Sequence, residues 1–534
     1  MDTLLLSGNE AIARGAWEAG CRVGTGYPGT PSTEILESLT DYDGVTTEWS
    51  VNEKVALEVA IGAALAGART LVTMKHVGLN VAADPLFTSS YIGVKGGLVI
   101  ACADDPSMHS SQNEQDNRNY AYHAKLPMLE PADSQEAKDF TKLAFEISEA
   151  YDTPVILRST TRISHSQSVV TAGARSELPV TEGFTRNIRK YVMIPAYAKL
   201  RHVEVEKRLA RITADANTLE INRMEMGDTK IGFITSGIAY AYVRELYPRA
   251  SVLKLGMVHP LPEDLIRRFV ESVDRVFVVE ELDPFFEMRI KAWGLEVEGK
   301  QHLPILGELN PDRIREALEK AGVASEKTIH AGIKNGFQLP PRPPALCPGC
   351  PHRTVFQKLH DKGLKVTGDI GCYTLGALPP FSAMDTCVDM GASVTVAQGI
   401  EIAEGEAHKR DTVAVIGDST FAHSGISGLI NAAYNGRHGL VIVLDNGTTA
   451  MTGMQPNPFS GERIDHSESF QLDYEKLAAA VGISAENYRM VDAYKPADIE
   501  EAITDLGERS GMSLLVVKGT CVILKQKLKK RSAA

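Results

Sequence analysis

The sequence predicts a multidomain α/β protein, with two large doubly wound parallel-sheet units flanking a smaller α/β unit. Three observations point there. Short apolar runs alternate with helical patterns through most of the 534 residues, the rhythm of parallel strands joined by helices. That rhythm breaks at a charged stretch near 175–227 and again at QLPPRPPA (338–345), whose composition makes a stiff, extended linker. The segments between the breaks are long enough for separate cores, since a domain takes roughly 100–200 residues.

In the first unit, 1–175, LVTM (71–74), GLVIACA (97–103) and TPVILRS (153–159) read as buried strands. NEKVALEVAIGAALAGA (52–68) and SQEAKDFTKLAFEISEAY (134–151) carry helical periodicity between them. Residues 176–227 are assigned as an irregular connector. The smaller unit, 228–335, opens with KIGFITSGIAYAYVREL (230–246) and continues as strand, helix, strand over 251–282. The linker covers 336–346. In the last unit, 347–525, the clearest strands are VAVIGD (413–418), GLVIVLDN (439–446) and SLLVVKG (513–519). Residues 526–534 form a basic tail, read as a solvated chain end.

Hydrophobic residues at 43% and charged residues at 23% suit a globular protein in water. A net charge of −12 argues against nucleic acid and anionic membranes as partners. Seven cysteines in this length do not make a disulfide framework. The N-terminus lacks the basic start and apolar core of a signal peptide. No apolar run approaches the ~20 residues that span a bilayer, so the expected location is the cytoplasm.

The most specific chemistry lies in AVIGDSTFAHSGISGLINAAYNGRHGLVIVLDNGTTAMTG (414–453). One buried strand ends in Gly417-Asp418-Ser419, and the next in Asp445-Asn446. Both ends fall on the edge where open α/β sheets bind ligands. Asp418, the Asn446 amide carbonyl and the Thr448 backbone carbonyl offer hard oxygens to Mg²⁺. Gly417 permits close backbone approach to phosphate, and the following helix N-terminus can receive the anion. Together they read as a nucleotide or thiamine diphosphate site.

GDS followed by DN resembles the motif of thiamine diphosphate-dependent enzymes. TGYPGTPSTE (25–34), NEKVALEVAIGAALAGARTLVTMKHVGLN (52–80), DDPSMHSSQNEQDNR (104–118), CPGCPHR (347–353), GDIGCYTLG (368–376) and MTGMQPNP (451–458) together resemble the large (alpha) subunit of the indolepyruvate:ferredoxin oxidoreductases. The resemblance runs to about Cys521. It implies a pyrimidine-binding domain at 1–175, a transketolase-C-terminal-like domain at 228–335 and a diphosphate-binding domain at 347–525. It also implies a homodimer of this chain, with the cofactor shared between subunits, inside a heterotetramer with a small subunit.

Thiamine diphosphate chemistry needs a carboxylic acid beside the aminopyrimidine, and Glu53 is the candidate. It opens a helix of small residues that can hold the acid in an apolar site, where burial favours the neutral form. The bland alternative is a glutamate favoured by the helix dipole. The resemblance carries Thr30 over to the 2-oxoacid carboxylate. Arg118, in a polar loop, is a candidate bidentate partner for that carboxylate, against the reading of a surface arginine. His76 and His109 are weaker candidates near loop ends.

Cys347 and Cys350 stand at a spacing that suits one metal, one cluster or a redox disulfide. Cys372 and Cys521 each follow a predicted strand, so one sheet edge can gather four thiols. The resemblance suggests these four as ligands of a [4Fe–4S] cluster, with Cys387 as a substitute for one. Cys21 and Cys102 read as core thiols.

The implied activity is oxidative decarboxylation of a 2-oxoacid, such as indolepyruvate or another arylpyruvate, to an acyl-CoA. Electrons would pass singly through the cluster to ferredoxin or a partner. The family usually carries a C-terminal ferredoxin-like domain, whereas this sequence ends in LKQKLKKRSAA. Either a partner subunit is expected to take the electrons from the single cluster, or the acceptor is a different one. Two alternatives remain open: a non-oxidative decarboxylase or lyase, and an assembly subunit that is inactive without its small partner.

Overall fold

A computed structural model describes residues 2–177, 183–326, 340, 342–405 and 411–531. The chain forms two compact units, Met1–Asn335 and Gly336–Ala534. Of the expected linker, 336–339 and 341 lie outside the described residues, as do 532–534 of the basic tail.

The first unit is built on a seven-stranded sheet. Across it run Met257–His259, Met128–Leu129, Val155–Thr160, Leu98–Asp104, Thr70–Lys75, Val23–Gly26 and Thr46–Trp49. Six strands are parallel, and Met257–His259 joins the edge antiparallel. Thr70–Lys75, Leu98–Asp104 and Val155–Thr160 are buried along their full length, which is why they read as apolar runs rather than alternations. A second sheet places Val276–Val279, Asp228–Thr235 and Ala250–Lys254 in parallel, with Arg223–Glu225 antiparallel at its edge.

The segment 228–335 is tied closely to the sheet before it. A hydrophobic cluster runs without a break from Ala56, Leu57 and Val72 to Leu253, Phe269 and Phe285. The segment 176–227 is not irregular throughout, because it contains the 22-residue helix Pro195–Ala216. Only Val205, Arg208, Ile212 and Ala216 of that helix are buried. So narrow a stripe is hard to see among charges.

In the second unit six parallel strands run Thr386–Cys387, Lys365–Gly368, Thr412–Gly417, Gly439–Asp445, Met512–Lys518 and Tyr488–Asp492. Helices cover both faces and give two cores. One is centred on Phe356, Val415 and Leu515, the other on Phe421, Phe459 and Leu514. The helix Val522–Arg531 carries the basic tail residues. Among the described residues no helix is long and apolar enough to cross a membrane.

Candidate functional site

In the first unit, chain direction across the sheet reverses between Val23–Gly26 and Thr70–Lys75. The chain leaves the former strand toward Thr46–Trp49 and returns on the other side. Such a reversal opens a crevice at the carboxyl ends of the strands. Gly29 and Thr30 follow the first of these strands, Lys75 ends the second, and His76 starts the helix after it. Glu53 begins the helix Glu53–Leu65, capped by the Asn52 side chain, which accepts from Val55 N (2.9 Å). Glu53 is 4% exposed. Its side chain lies against Gly78, where a Cβ would come within 2.6 Å of Glu53 Cγ and Oε1. Only glycine lets the two helices seat the acid this way.

Thr30 is half-buried, and its carbonyl accepts from Ser110 Oγ (3.3 Å). His76 is fully buried, with Nε2 3.2 Å from Asn113 O, and burial holds its pKa down near about 4. His109 lies on the surface, 3.3 Å from Glu308.

Arg118 is neither a surface arginine nor open to substrate. It is 1% exposed. Nε and Nη2 grip the Asp116 carboxylate (2.9 and 2.5 Å), Nη1 donates to Glu280 (2.7 Å), and Nη2 also reaches the carbonyls of Glu281 and Asp283 (2.8 and 3.2 Å). Despite burial, Asp116 and Glu280 hold its pKa above the usual value for arginine. Neighbouring Arg158 pairs with Asp104 (2.8 Å) and Glu130. The pairing of Arg118 with Glu280 spans 162 positions, so nothing near Arg118 in sequence announces it.

The second unit has a reversal of the same kind, between Lys365–Gly368 and Thr412–Gly417. The loops after those strands meet where Thr420 Oγ1 donates to Ile370 O (3.0 Å). Asp418 is 2% exposed and accepts from Asn457 Nδ2 (3.1 Å). Burial, and then nearby Asp445, raise its pKa. Asn446 Oδ1 accepts from Thr448 N (3.0 Å), and its Nδ2 faces His352 Nε2 (3.3 Å). Burial holds the His352 pKa down near about 4, so the ring is neutral and can accept that bond. Thr448 is buried, and the Ser419 hydroxyl accepts from Thr449 (2.9 Å). A Cβ at Gly417 would lie 2.5 Å from the Tyr373 ring. Packing against Tyr373 is thus a reason for glycine there, alongside the expected approach to phosphate.

Residues absent from the sequence reading also sit on these edges. Asp369 is fully buried and accepts from the backbone N–H groups of Gly391 (2.9 Å) and Ser393 (3.1 Å), anchoring the helix Ala392–Glu404. Asn457 donates to Asp418, and His352 meets the Asn446 amide. Lys75 is a charge ending a fully buried strand. The usable signals were a second Gly-Asp at a strand end, in GDIGC, and the lysine closing LVTMK.

All seven cysteines are free thiols. Cys350 N donates to Cys347 O (3.0 Å) across a turn with Gly349 at φ +75°. Cys521 N donates to Asn446 O (3.0 Å). Burial, and then the neighbouring thiols, push both Cys350 and Cys372 up to about 11, with Cys347 and Cys521 acting on each. Cys387 stands apart and donates to Asp369 O (3.5 Å). Cys21 and Cys102 are buried in the core. Among the described residues no three His, Cys, Asp or Glu side chains stand close enough to hold a metal ion. The four thiols are gathered, but their side chains are not set at ligand distances.

Known families match segments of both units. Residues 14–226 match the family described as "Pyruvate flavodoxin/ferredoxin oxidoreductase, thiamine diP-bdg". Residues 369–517 match "Thiamine pyrophosphate enzyme, C-terminal TPP binding domain". The chain is 43% identical to indolepyruvate oxidoreductase subunit IorA of Archaeoglobus fulgidus, covering 99% of this chain and 88% of that protein. It is 42% identical to the subunit of the same name from Pyrococcus horikoshii, covering 98% and 86%. A solved 2-oxoglutarate:ferredoxin oxidoreductase from Magnetococcus marinus, with 2-oxoglutarate, coenzyme A and succinyl-CoA bound, superposes with TM-score 0.50 at 17% identity. That match covers 60% of this chain and 65% of the other and speaks for the fold alone.

Proposed function

This chain belongs to the IorA family of indolepyruvate oxidoreductase subunits, and from that premise we infer how its own residues serve oxidative decarboxylation of a 2-oxoacid. It is an oxidoreductase subunit with thiamine diphosphate-binding domains. The substrate in this reading is an arylpyruvate, with coenzyme A as acyl acceptor. A small subunit and a second copy of this chain complete the assembly, and ferredoxin or the partner takes the electrons.

The observation that carries the reading is the Asp418 edge. A buried carboxylate sits near a second acid, Asp445, and accepts from the Asn457 amide and from backbone N–H groups, all of them neutral donors. Lys518 approaches Asp445 at 3.6 Å, not Asp418. An acid so placed lacks a cation, and Mg²⁺ on Asp418, Asn446 and Thr448 supplies one. His352 takes one N–H of Asn446 and so fixes the amide, whose oxygen lies on the side of Thr448 N. Gly417, Ser419 and the helix they open are assigned to the diphosphate.

When bound, thiamine diphosphate supplies the electron sink that lets a 2-oxoacid lose CO₂. Glu53 holds and shares a proton with the aminopyrimidine, for which its dry seat on Gly78 suits it. Thr30 offers its hydroxyl to the substrate. Cys347, Cys350, Cys372 and Cys521 are assigned to a [4Fe–4S] cluster. Four thiolates are the right donors for it, and their loops share the Asn446 edge. Cys387 is left out because it lies beside Asp369.

The test is anaerobic turnover of indolepyruvate with coenzyme A and a one-electron acceptor, with the small subunit added or withheld. Acyl-CoA formation coupled to acceptor reduction supports the reading. Aldehyde release without acceptor reduction would establish the non-oxidative alternative.

A further inference from the structure

With Arg118 spoken for by Asp116 and Glu280, the crevice needs another cation to meet an anionic substrate. Lys75 stands there. It ends the strand Thr70–Lys75 at the point where chain direction reverses, directly across from the Gly29–Thr30 turn. Its stem packs on that turn, since a Cβ at Gly29 would lie 3.1 Å from both Cγ and Cδ of Lys75. Its ammonium donates to Ser110 O (3.0 Å), and the Ser110 hydroxyl donates to Thr30 O (3.3 Å). The next residue, His76, starts the short helix that contains Gly78, the seat of Glu53. Lys75 thus joins the proposed acid to the proposed substrate turn.

The ammonium is poorly compensated. Lys75 is 9% exposed. Its bond to Ser110 uses one of three N–H groups, and among the described residues no carboxylate lies within ion-pair distance of it. Asp105 is close enough to act on it, but its oxygens accept from Ser110 N (2.8 Å), Ser111 Oγ (2.7 Å) and Thr161 Oγ1 (2.7 Å). Burial lowers the Lys75 pKa to about 8 against the pull of Asp105 and Glu53. A buried lysine without a close counter-ion is costly to keep. An anion delivered to it gains what the lysine lacks.

We propose that Lys75 receives the carboxylate of the 2-oxoacid substrate beside Thr30 and so selects acids over neutral carbonyl compounds. This rests on the 2-oxoacid reading above. The groups facing the ammonium are Glu53 from the helix Glu53–Leu65, Asp105 after the strand Leu98–Asp104, and neighbouring His76. His76 stays neutral above about pH 4 and does not titrate in the range that matters.

The experiment compares indolepyruvate with its uncharged amide by anaerobic calorimetric titration of the thiamine diphosphate-loaded complex. Lys75→Met keeps the stem on Gly29 and removes the charge. It is expected to weaken indolepyruvate about 10- to 100-fold, the range for a hydrogen bond to a charged group, and to leave the amide unchanged. Lys75→Arg is expected to restore part of the preference. Wild-type affinity for the acid should fall as pH rises through about 8, with no such fall in Lys75→Met. Equal loss of acid and amide, or of thiamine diphosphate, would mean that Lys75 is only structural and overturns the proposal. Unchanged acid affinity in Lys75→Met overturns it too, while the 2-oxoacid reading stands. If wild type binds no 2-oxoacid at all, that reading fails first.

Discussion

The two large sheets share one plan and use it differently. Taken in chain order, the six parallel strands of each run second, first, third, fourth, sixth, fifth across the sheet. Each reverses between its first and third strands, and each places its chemical groups on that edge. In the first unit the edge gathers an acid, Glu53, a lysine, Lys75, and a hydroxyl turn at Thr30. In the second it gathers acids, an amide and thiols. A deeper difference lies in how charge is handled. The first unit compensates Arg118 and Arg158 inside itself, against Asp104, Asp116, Glu130 and Glu280, and leaves Lys75 short of a close counter-ion. The second leaves Asp418 without a cation among the described residues. Arg118 and Arg158, fully paired, serve the fold, whereas Asp418 and Lys75 are the charges proposed to meet a ligand.

The sharpest way to break that contrast is at the paired arginine. Arg118→Ala strands two buried carboxylates and is expected to cost about 3–5 kcal/mol, read by denaturant unfolding of the full chain. Arg162→Ala breaks the exposed pair with Glu308 and is expected to cost at most ~1 kcal/mol. Equal effects would contradict the division between structural and ligand-seeking charge. Asp418→Ala removes an uncompensated acid instead. It is expected to leave stability in place while thiamine diphosphate affinity in Mg²⁺ falls roughly 100-fold or more. Wild-type affinity in that variant removes Asp418 from the site.

This contrast also explains what could be read in advance. The parallel sheets were visible because strands buried on both faces are unbroken apolar runs, as in Thr412–Gly417 and Met512–Lys518. The Asp418–Asn446 edge was visible because both residues lie within one strand–helix–strand unit, where sequence neighbours become spatial neighbours. Arg118 is hard to place from sequence because Glu280, one of its two carboxylate partners, is 162 positions away, and a polar loop in sequence says nothing about burial. Lys75 was passed over because a lysine at a strand end is ordinary until the turn packed on its stem is known. His352 hid inside the CPGCPHR motif, where the cysteines drew the chemistry.

Smaller effects sharpen the comparison within each unit. Cys372→Ser is expected to lose cluster iron, because oxygen is a poorer ligand than thiolate for such a site. Cys387→Ser is expected to retain it, since Cys387 lies by Asp369 rather than beside the other thiols. Iron and acid-labile sulfide assays on anaerobically prepared protein decide between them. In the first unit, burial raises Glu281 to about 7 from an ordinary carboxyl value. A folded-state pKa raised in this way contributes stability below about pH 4.5 that is lost as pH rises through about 7. Glu281→Gln keeps an acceptor for Leu309 N, which the acid now serves at 2.9 Å. The stability of the variant relative to wild type should rise by about 2 kcal/mol between pH 5.5 and pH 8, given roughly 1.4 kcal/mol per pKa unit. Parallel stability curves from pH 5.5 to 8 would show that Glu281 titrates normally.

Glu53, buried against Gly78, is proposed as the acid that activates thiamine diphosphate. Hydrogen–deuterium exchange at C2 of the bound cofactor tests it most directly, in wild type and in Glu53→Gln. The amide fills the same seat but cannot share a proton with the aminopyrimidine. In Glu53→Gln, thiamine diphosphate affinity is expected to stay unchanged while exchange slows by about 100-fold or more, within the range of general acid–base catalysis. An exchange rate equal to wild type, with the cofactor still bound, would contradict it.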